Sequence, residues 1–314
     1  MILVFVLYAL FASVFVIAKI GLEYTQPLFL VGSRMLLAGI LMLVYQYFMH
    51  PSKFQFDKKH FWRILKLGIF NIYLTNAFEF WGLKHLTSFK TCFIYSLSPF
   101  LSALFSYLIF SEKMTKKKWI GFFIGFVGFA PILVAEGAGE EQLHHLLFLS
   151  WGEISVLLAC ICSVYGWILL RQLVKEDGYS PIMANGLSMC IGGTFGLVHS
   201  FLSESWHPIP VTEFVPFIEC AILLIIVSNF LCYNLYGYLL KKFTATFISF
   251  AGWTTPVFAA LFGWLVLGEL VTWPFILSAA IVLLGLAIFY QEELRQGYYI
   301  VPKKAALQNV NQTT

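Results

Sequence analysis

Apolar residues in this chain fall in long blocks, not in the alternating or one-faced patterns of soluble strands and helices. A helix that crosses a bilayer needs about 20 mostly apolar residues. Ten such blocks occur, at 1–20, 27–48, 62–83, 89–110, 118–135, 150–172, 181–202, 214–239, 243–267 and 273–291. Each gap between them holds a charge cluster, a proline or a glycine. Pro27, Pro181 and Pro274 stand in first-turn positions, where a missing N–H costs nothing. The pattern predicts an all-α integral membrane protein of ten transmembrane helices. The block 1–20 has no positive segment before it and no small-residue cleavage site after it. It reads as the first span and not as a signal peptide.

Composition agrees with this. Charged residues make up 11% of the chain and apolar ones 60%, against roughly 25% charged in a soluble domain. Lipid must therefore solvate most of the surface. The charges that remain are sorted by loop. Sixteen of the 20 Lys and Arg fall in alternate loops, including Lys53, Lys58, Lys59, Lys113, Lys116, Lys117, Lys241 and Lys242. The intervening loops read acidic, as at Glu136, Glu140 and Glu141. The positive-inside rule then places both termini in the cytoplasm of a multi-pass protein, here expected in a bacterial inner membrane. The six cysteines all lie within apolar blocks, as small buried side chains would.

The chain also repeats itself. Residues 97–112 read LSPFLSALFSYLIFSE and residues 254–269 read TTPVFAALFGWLVLGE, which pairs Pro99 with Pro256 and Glu112 with Glu269. Five helices per half is an odd number, so the second copy must cross the membrane in the opposite sense. The expected organisation is two inverted five-helix repeats at 1–135 and 150–291, joined by an acidic outer loop at 136–149 and followed by a cytoplasmic tail at 292–314. Inverted repeats are a transporter device, with the solute held near the midplane between the halves.

The repeated motif runs from a proline to a glutamate thirteen residues on, then to threonine and spaced glycines. It resembles the EamA-type drug/metabolite transporter superfamily over nearly the whole chain. Arg34, in GSRMLLAGI, is similar to an arginine often carried in the second helix of that family. The segment FNIYLTNAFEFWGLKHLTSFKTCFIYSLSPFLSAL is more narrowly similar to the S-adenosylmethionine/S-adenosylhomocysteine transporters of chlamydia-type intracellular bacteria. That resemblance implies exchange of the methyl donor for its spent product. It implies a cationic metabolite, S-adenosylmethionine, as the small-molecule partner beside the lipid bilayer.

Ionisable groups inside spans are costly and mark function by default. Arg34 suits a substrate carboxylate, or else pairs with Glu79. Asn71, Thr75 and Glu79 are spaced i, i+4, i+8 and are expected to line one helix face, with Asn76 beside them. A lone carboxylate such as Glu79 suits a cationic solute. Lys90 reads equally as an anchor or a carboxylate binder. Tyr95, Tyr165, Trp167, Tyr233, Tyr236 and Trp253 lie well inside spans, where a planar base or a cation would find ring faces. For any one of these rings ordinary bundle packing is the better account; collectively they favour a solute with both an aromatic and a charged part. Pro99, Glu112, Pro256 and Glu269 are expected to cap helices, order loops or gate.

No metal-ligating His pair, phosphate-cradling Gly loop or catalytic constellation is present, so neither an enzyme nor a cofactor is expected. There is no basic run with interleaved aromatics for nucleic acid. The leading reading is secondary transport by exchange. An exporter of amino acids, amines or drugs and a non-transporting scaffold are the alternatives. The oligomeric state is left open.

Overall fold

In this computed structural model the described residues are 2–110, 114–134, 145–146, 149–243, 248 and 251–296. They are mostly helical. Helix α1 (Ile2–Gly21) and α2 (Pro27–Met49) come first, and Pro27 opens α2 as expected. Next, α3 (Phe61–Leu67), a π segment (Gly68–Leu74) and α4 (Thr75–His85) form one continuous rod. Likewise α5 (Ser88–Ile94), a 3-10 turn (Tyr95–Leu97) and α6 (Ser98–Phe110) run together. Helices α7 (Lys116–Val127) and α8 (Ala130–Val134) are shorter.

A two-residue antiparallel pair, β1 (His145–Leu146) and β2 (Leu149–Ser150), leads into α9 (Trp151–Lys175). Then come α10 (Pro181–Ser203) and a rod of α11 (Phe214–Leu224), a second π segment (Ile225–Cys232) and α12 (Tyr233–Leu239). A further 3-10 turn (Gly252–Thr254) enters α13 (Thr255–Phe262), which runs into a third π segment (Gly263–Leu267), and α14 (Trp273–Gln296) is the last described helix.

Seven helices among the described residues are long and apolar enough to cross a membrane. The three remaining apolar blocks each miss that measure for a visible reason. The rod through α3 and α4 is long enough but carries Arg63, Lys66, Glu79 and Lys84. The block 118–135 is interrupted by a turn at Gly128–Phe129. The block 243–267 is described as a helix only from Gly252 to Leu267. Most of the acidic loop 136–149, the tail from 297 onward and Glu112 lie outside the described residues.

Small residues let the helices come close. Helix α2 packs along α10, and α7 along α14. A Cβ added to Gly193 on α10 would stand 2.4 Å from the Leu36 backbone nitrogen of α2, and one on Gly285 2.5 Å from the Gly125 nitrogen. Lipid tails are as apolar as leucine, so burial adds little here. Close backbone contact is what holds such helices together. The remaining pairings put α1 against α11 and α13, and α9 against α4, α5 and α6.

Gly193→Val should therefore push α10 off α2 and cost about 3 kcal/mol or more, at the upper end for overpacking. Gly178, at φ 77° with open space around its Cβ position, should accept Asn, which tolerates that conformation. Thermal melts of the purified protein in detergent would compare the two variants. Equal melting temperatures would exclude the close-packing explanation.

Candidate functional site

Two of the three described π segments, Gly68–Leu74 and Ile225–Cys232, begin 157 residues apart, and so do the 3-10 turns Tyr95–Leu97 and Gly252–Thr254. These four segments converge on one cavity. Thr75 and Asn76 follow the first π segment, and Ser228 and Tyr233 lie in and just after the second. Tyr95 and Ser98 flank the first 3-10 turn, and Gly252 and Thr255 the second; all eight line the cavity. Each break in the α-ladder frees carbonyls that lipid cannot satisfy. Polar side chains take them up. Thr75 Oγ1 donates to the Phe70 carbonyl (2.7 Å), Asn76 Nδ2 to Ile72 (2.9 Å) and Asn234 Nδ2 to Phe230 (2.9 Å). The sequence thus supports irregular helix where it also needs polar lining.

Arg34 is only 2% exposed and reaches the cavity from α2. Its Nη2 donates to Asn76 Oδ1 at 2.7 Å and its Nη1 to Asn229 Oδ1 at 3.4 Å, while the guanidinium lies 4.6 Å from the Phe80 ring centre. Its Nε has no hydrogen-bond partner among the described residues. Asn76 Nδ2 also donates to the Tyr233 hydroxyl at 3.3 Å. Asn76 and Tyr233 are the pair matched by the 157-residue offset, so two equivalent positions meet at the centre of the molecule.

Glu79 takes no part in that network. Tyr95 donates its hydroxyl to Glu79 Oε2 at 2.6 Å. No ion pair joins Glu79 to Arg34 among the described residues. One cavity therefore presents a cation and an anion held apart by neutral amides and phenols. Its walls are aromatic. Trp167 stacks on Tyr236 with centroids 4.0 Å apart, and Phe15 meets Tyr95 edge-on at 5.8 Å.

Of the residues singled out from sequence, Arg34, Thr75, Asn76, Glu79, Tyr95, Trp167, Tyr233 and Tyr236 line this cavity. Four others do not. Asn71 packs on Gly166 with neither amide atom hydrogen-bonded. The expected i, i+4, i+8 face assumed α geometry, and the π segment between Asn71 and Thr75 rotates Asn71 out of line. Tyr165 lies against Phe70 at 5.1 Å and borders a different groove. Trp253 lines a small apolar cavity with Phe93 and Phe275. Lys90 is consumed by an internal partner. Its Nζ lies 2.8 Å from Glu153 Oε1, with both side chains buried. The other oxygen of Glu153 closes a capping box with Ser150 at the start of α9.

The repeat-motif residues serve the frame. Pro99 and Pro256 stand in the first turns after the 3-10 segments. Glu269 accepts from Ser88 N (2.8 Å) and Ser88 Oγ (2.5 Å), capping α5 from the other half of the chain.

Tyr8, Phe11, Val14 and Phe15 of α1, with Ser163 of α9, also line the cavity and were not foreseen. Tyr8, Phe11 and Phe15 recur at i, i+3, i+7, a one-faced aromatic signal hidden in an otherwise uniformly apolar helix.

Asn76→Leu removes the shortest hydrogen bond of a buried guanidinium and should cost about 1.5–3 kcal/mol, whereas Asn76→Asp keeps an acceptor and should recover most of it. Glu153→Gln should cost about 3–5 kcal/mol by stranding Lys90, and adding Lys90→Met should return much of that loss. Melting temperatures of the purified variants would check both. Additive effects in the Lys90/Glu153 cycle would rule out the ion pair as their cause.

Comparison with known proteins gives consistent matches. Residues 1–134 and 150–291 match the EamA-like transporter family. A "S-adenosylmethionine/S-adenosylhomocysteine transporter" of Chlamydia muridarum is 38% identical over 299 residues, covering 95% of this chain and 93% of the relative. One of the same description from Chlamydia trachomatis is 36% identical, covering 95% and 91%. An uncharacterized inner membrane transporter of Escherichia coli is 24% identical over 98% of this chain and 94% of its own. A solved crystal structure superposes with a TM-score of 0.67 at 14% identity, covering 94% of this chain and 96% of that one, a likeness of fold alone. The chain belongs to the EamA-like transporter family.

Proposed function

We propose that this protein imports S-adenosylmethionine in exchange for S-adenosylhomocysteine, without chemistry on either. The observation that carries the reading is the pair of opposite charges, Arg34 and Glu79, held unpaired with each other in one aromatic-walled cavity. The Chlamydia relatives' descriptions agree with it. S-adenosylmethionine carries a carboxylate, an ammonium, a sulfonium and an adenine ring. Arg34 is the natural partner for the carboxylate, since its Nε is still free to donate. Glu79 would meet a cationic centre, and Trp167, Tyr236, Phe11 or Phe15 would stack on the base. A sulfonium near a ring face gains roughly 0.5–2 kcal/mol.

The same proposal includes ten spans in two inverted repeats, in the inner membrane, with both termini in the cytoplasm. The recurrence of π and 3-10 segments at one offset supports the repeat. So does the pairing of sequence-equivalent helices, α2 with α10 and α7 with α14. Charged spans such as the α3–α4 rod fail a hydropathy measure because their charges face the cavity or the basic end of the bundle. Alternating access would then exchange the roles of the two halves around the Asn76–Tyr233 contact.

Counterflow into proteoliposomes preloaded with S-adenosylhomocysteine tests this. Labelled S-adenosylmethionine should enter faster than into empty vesicles. Glu79→Gln should raise its half-saturating concentration about 30-fold or more, as expected when one partner of a buried charge contact is removed. If Glu79 meets the sulfonium, the loss should be larger for the methyl donor than for the homocysteine product; equal losses would assign it to the ammonium. Absence of trans-stimulation, with resistance of cells to a toxic amino acid instead, would favour an exporter.

A further inference from the structure

A second groove lies away from the solute cavity, at the lysine-rich end of the bundle between α3, α9 and the end of α6. Its lining includes Lys59, Trp62, Arg63 and Lys66 beside the apolar Ile109 and Ile168. No carboxylate lines it among the described residues. Of its cations, Arg63 is already paired with an acid. Asp177 binds Arg63 and, at 3.4 Å, His60, and Asp57 accepts from the Lys59 backbone N–H at 2.9 Å. Lys59 and Lys66 are exposed and make no ion pair among the described residues.

Trp62 is 68% exposed and Ile109 43% exposed, so large apolar side chains border the mouth of the groove. Two features thus coincide: two lysines without an ion pair beside the paired Arg63, and apolar wall next to them, an arrangement that fits headgroup height in a bilayer. An exposed tryptophan at that level is what a membrane–water interface favours. A soluble anion would use only the cations. A molecule with a phosphate head and acyl tails would use both.

We propose that this groove is a binding site for an anionic phospholipid, with the headgroup phosphate among Lys59, Arg63 and Lys66 and the acyl chains descending past Trp62 and Ile109. It is independent of the solute reading, since none of these residues lines the central cavity.

The test uses the full chain in lipid nanodiscs carrying brominated lipids, which quench nearby tryptophan. Brominated phosphatidylglycerol should quench more than brominated phosphatidylcholine, and the excess should disappear in Trp62→Phe. Each of Lys59→Gln and Lys66→Gln should weaken the phosphatidylglycerol preference about fivefold, the effect of one cation at a membrane surface. Both variants should retain the melting temperature of the parent, which separates lost binding from lost folding. Equal quenching by the two lipids, or a preference untouched by the lysine changes, would overturn the proposal. Relief of the quenching by millimolar inorganic phosphate would overturn it in favour of a soluble phosphate ligand.

Discussion

A guanidinium cannot be left to hydrocarbon, and the middle of this bundle is arranged around that constraint. Arg34 enters on α2, whose other buried positions are apolar except for Gln46 near its end. The cost of burying its charge is met by amide oxygens from two other rods, Asn76 after the first π segment and Asn229 within the second, and by the face of Phe80. Those partners are within reach because both rods abandon α geometry at matched places. The same departures open the polar wall of the cavity. Charge satisfaction, helix irregularity and solute space are thus one feature of the fold.

The matched halves explain why the irregularities coincide, and their differences explain the chemistry. Glu79 has Tyr236 at its equivalent position, and Asn76 has Tyr233. A symmetric site would repeat its charge and repel itself across the axis. Instead one half supplies the carboxylate and the arginine while the other supplies phenols and an amide. Helix starts are tied by contacts that cross between halves, such as Glu269 on the start of α5 and Glu204 on the first N–H groups of α2. Carboxylates at helix N-termini are favourable there because they meet unpaired donors and the positive end of the helix dipole.

Buried charge in this protein divides into two kinds that look alike in a sequence. Lys90 and Glu153 neutralise each other inside the wall and hold α5 to α9. Arg34 and Glu79 are left with neutral partners and face open volume. Only the second kind retains attraction for a solute.

Much of this could be read from residue order. Long apolar blocks, alternating loop charge and a repeated Pro-to-Glu motif determine a helical membrane bundle, because hydrocarbon admits little else. The residue types that lie inside those blocks also point to Arg34, Glu79 and Asn76, since polar groups in lipid are too costly to be incidental. What residue order could not decide was partnership and rotation. Whether Lys90 meets a solute or Glu153 depends on α9, some sixty residues away in sequence. Whether Asn71 shares a face with Thr75 and Glu79 depends on one π segment that adds a residue to the turn. Tyr8, Phe11 and Phe15 became lining only through the packing of α1 against α11 and α13. Periodicity determines which residues a regular helix would align; tertiary packing alone determines where the helix stops being regular and what stands opposite.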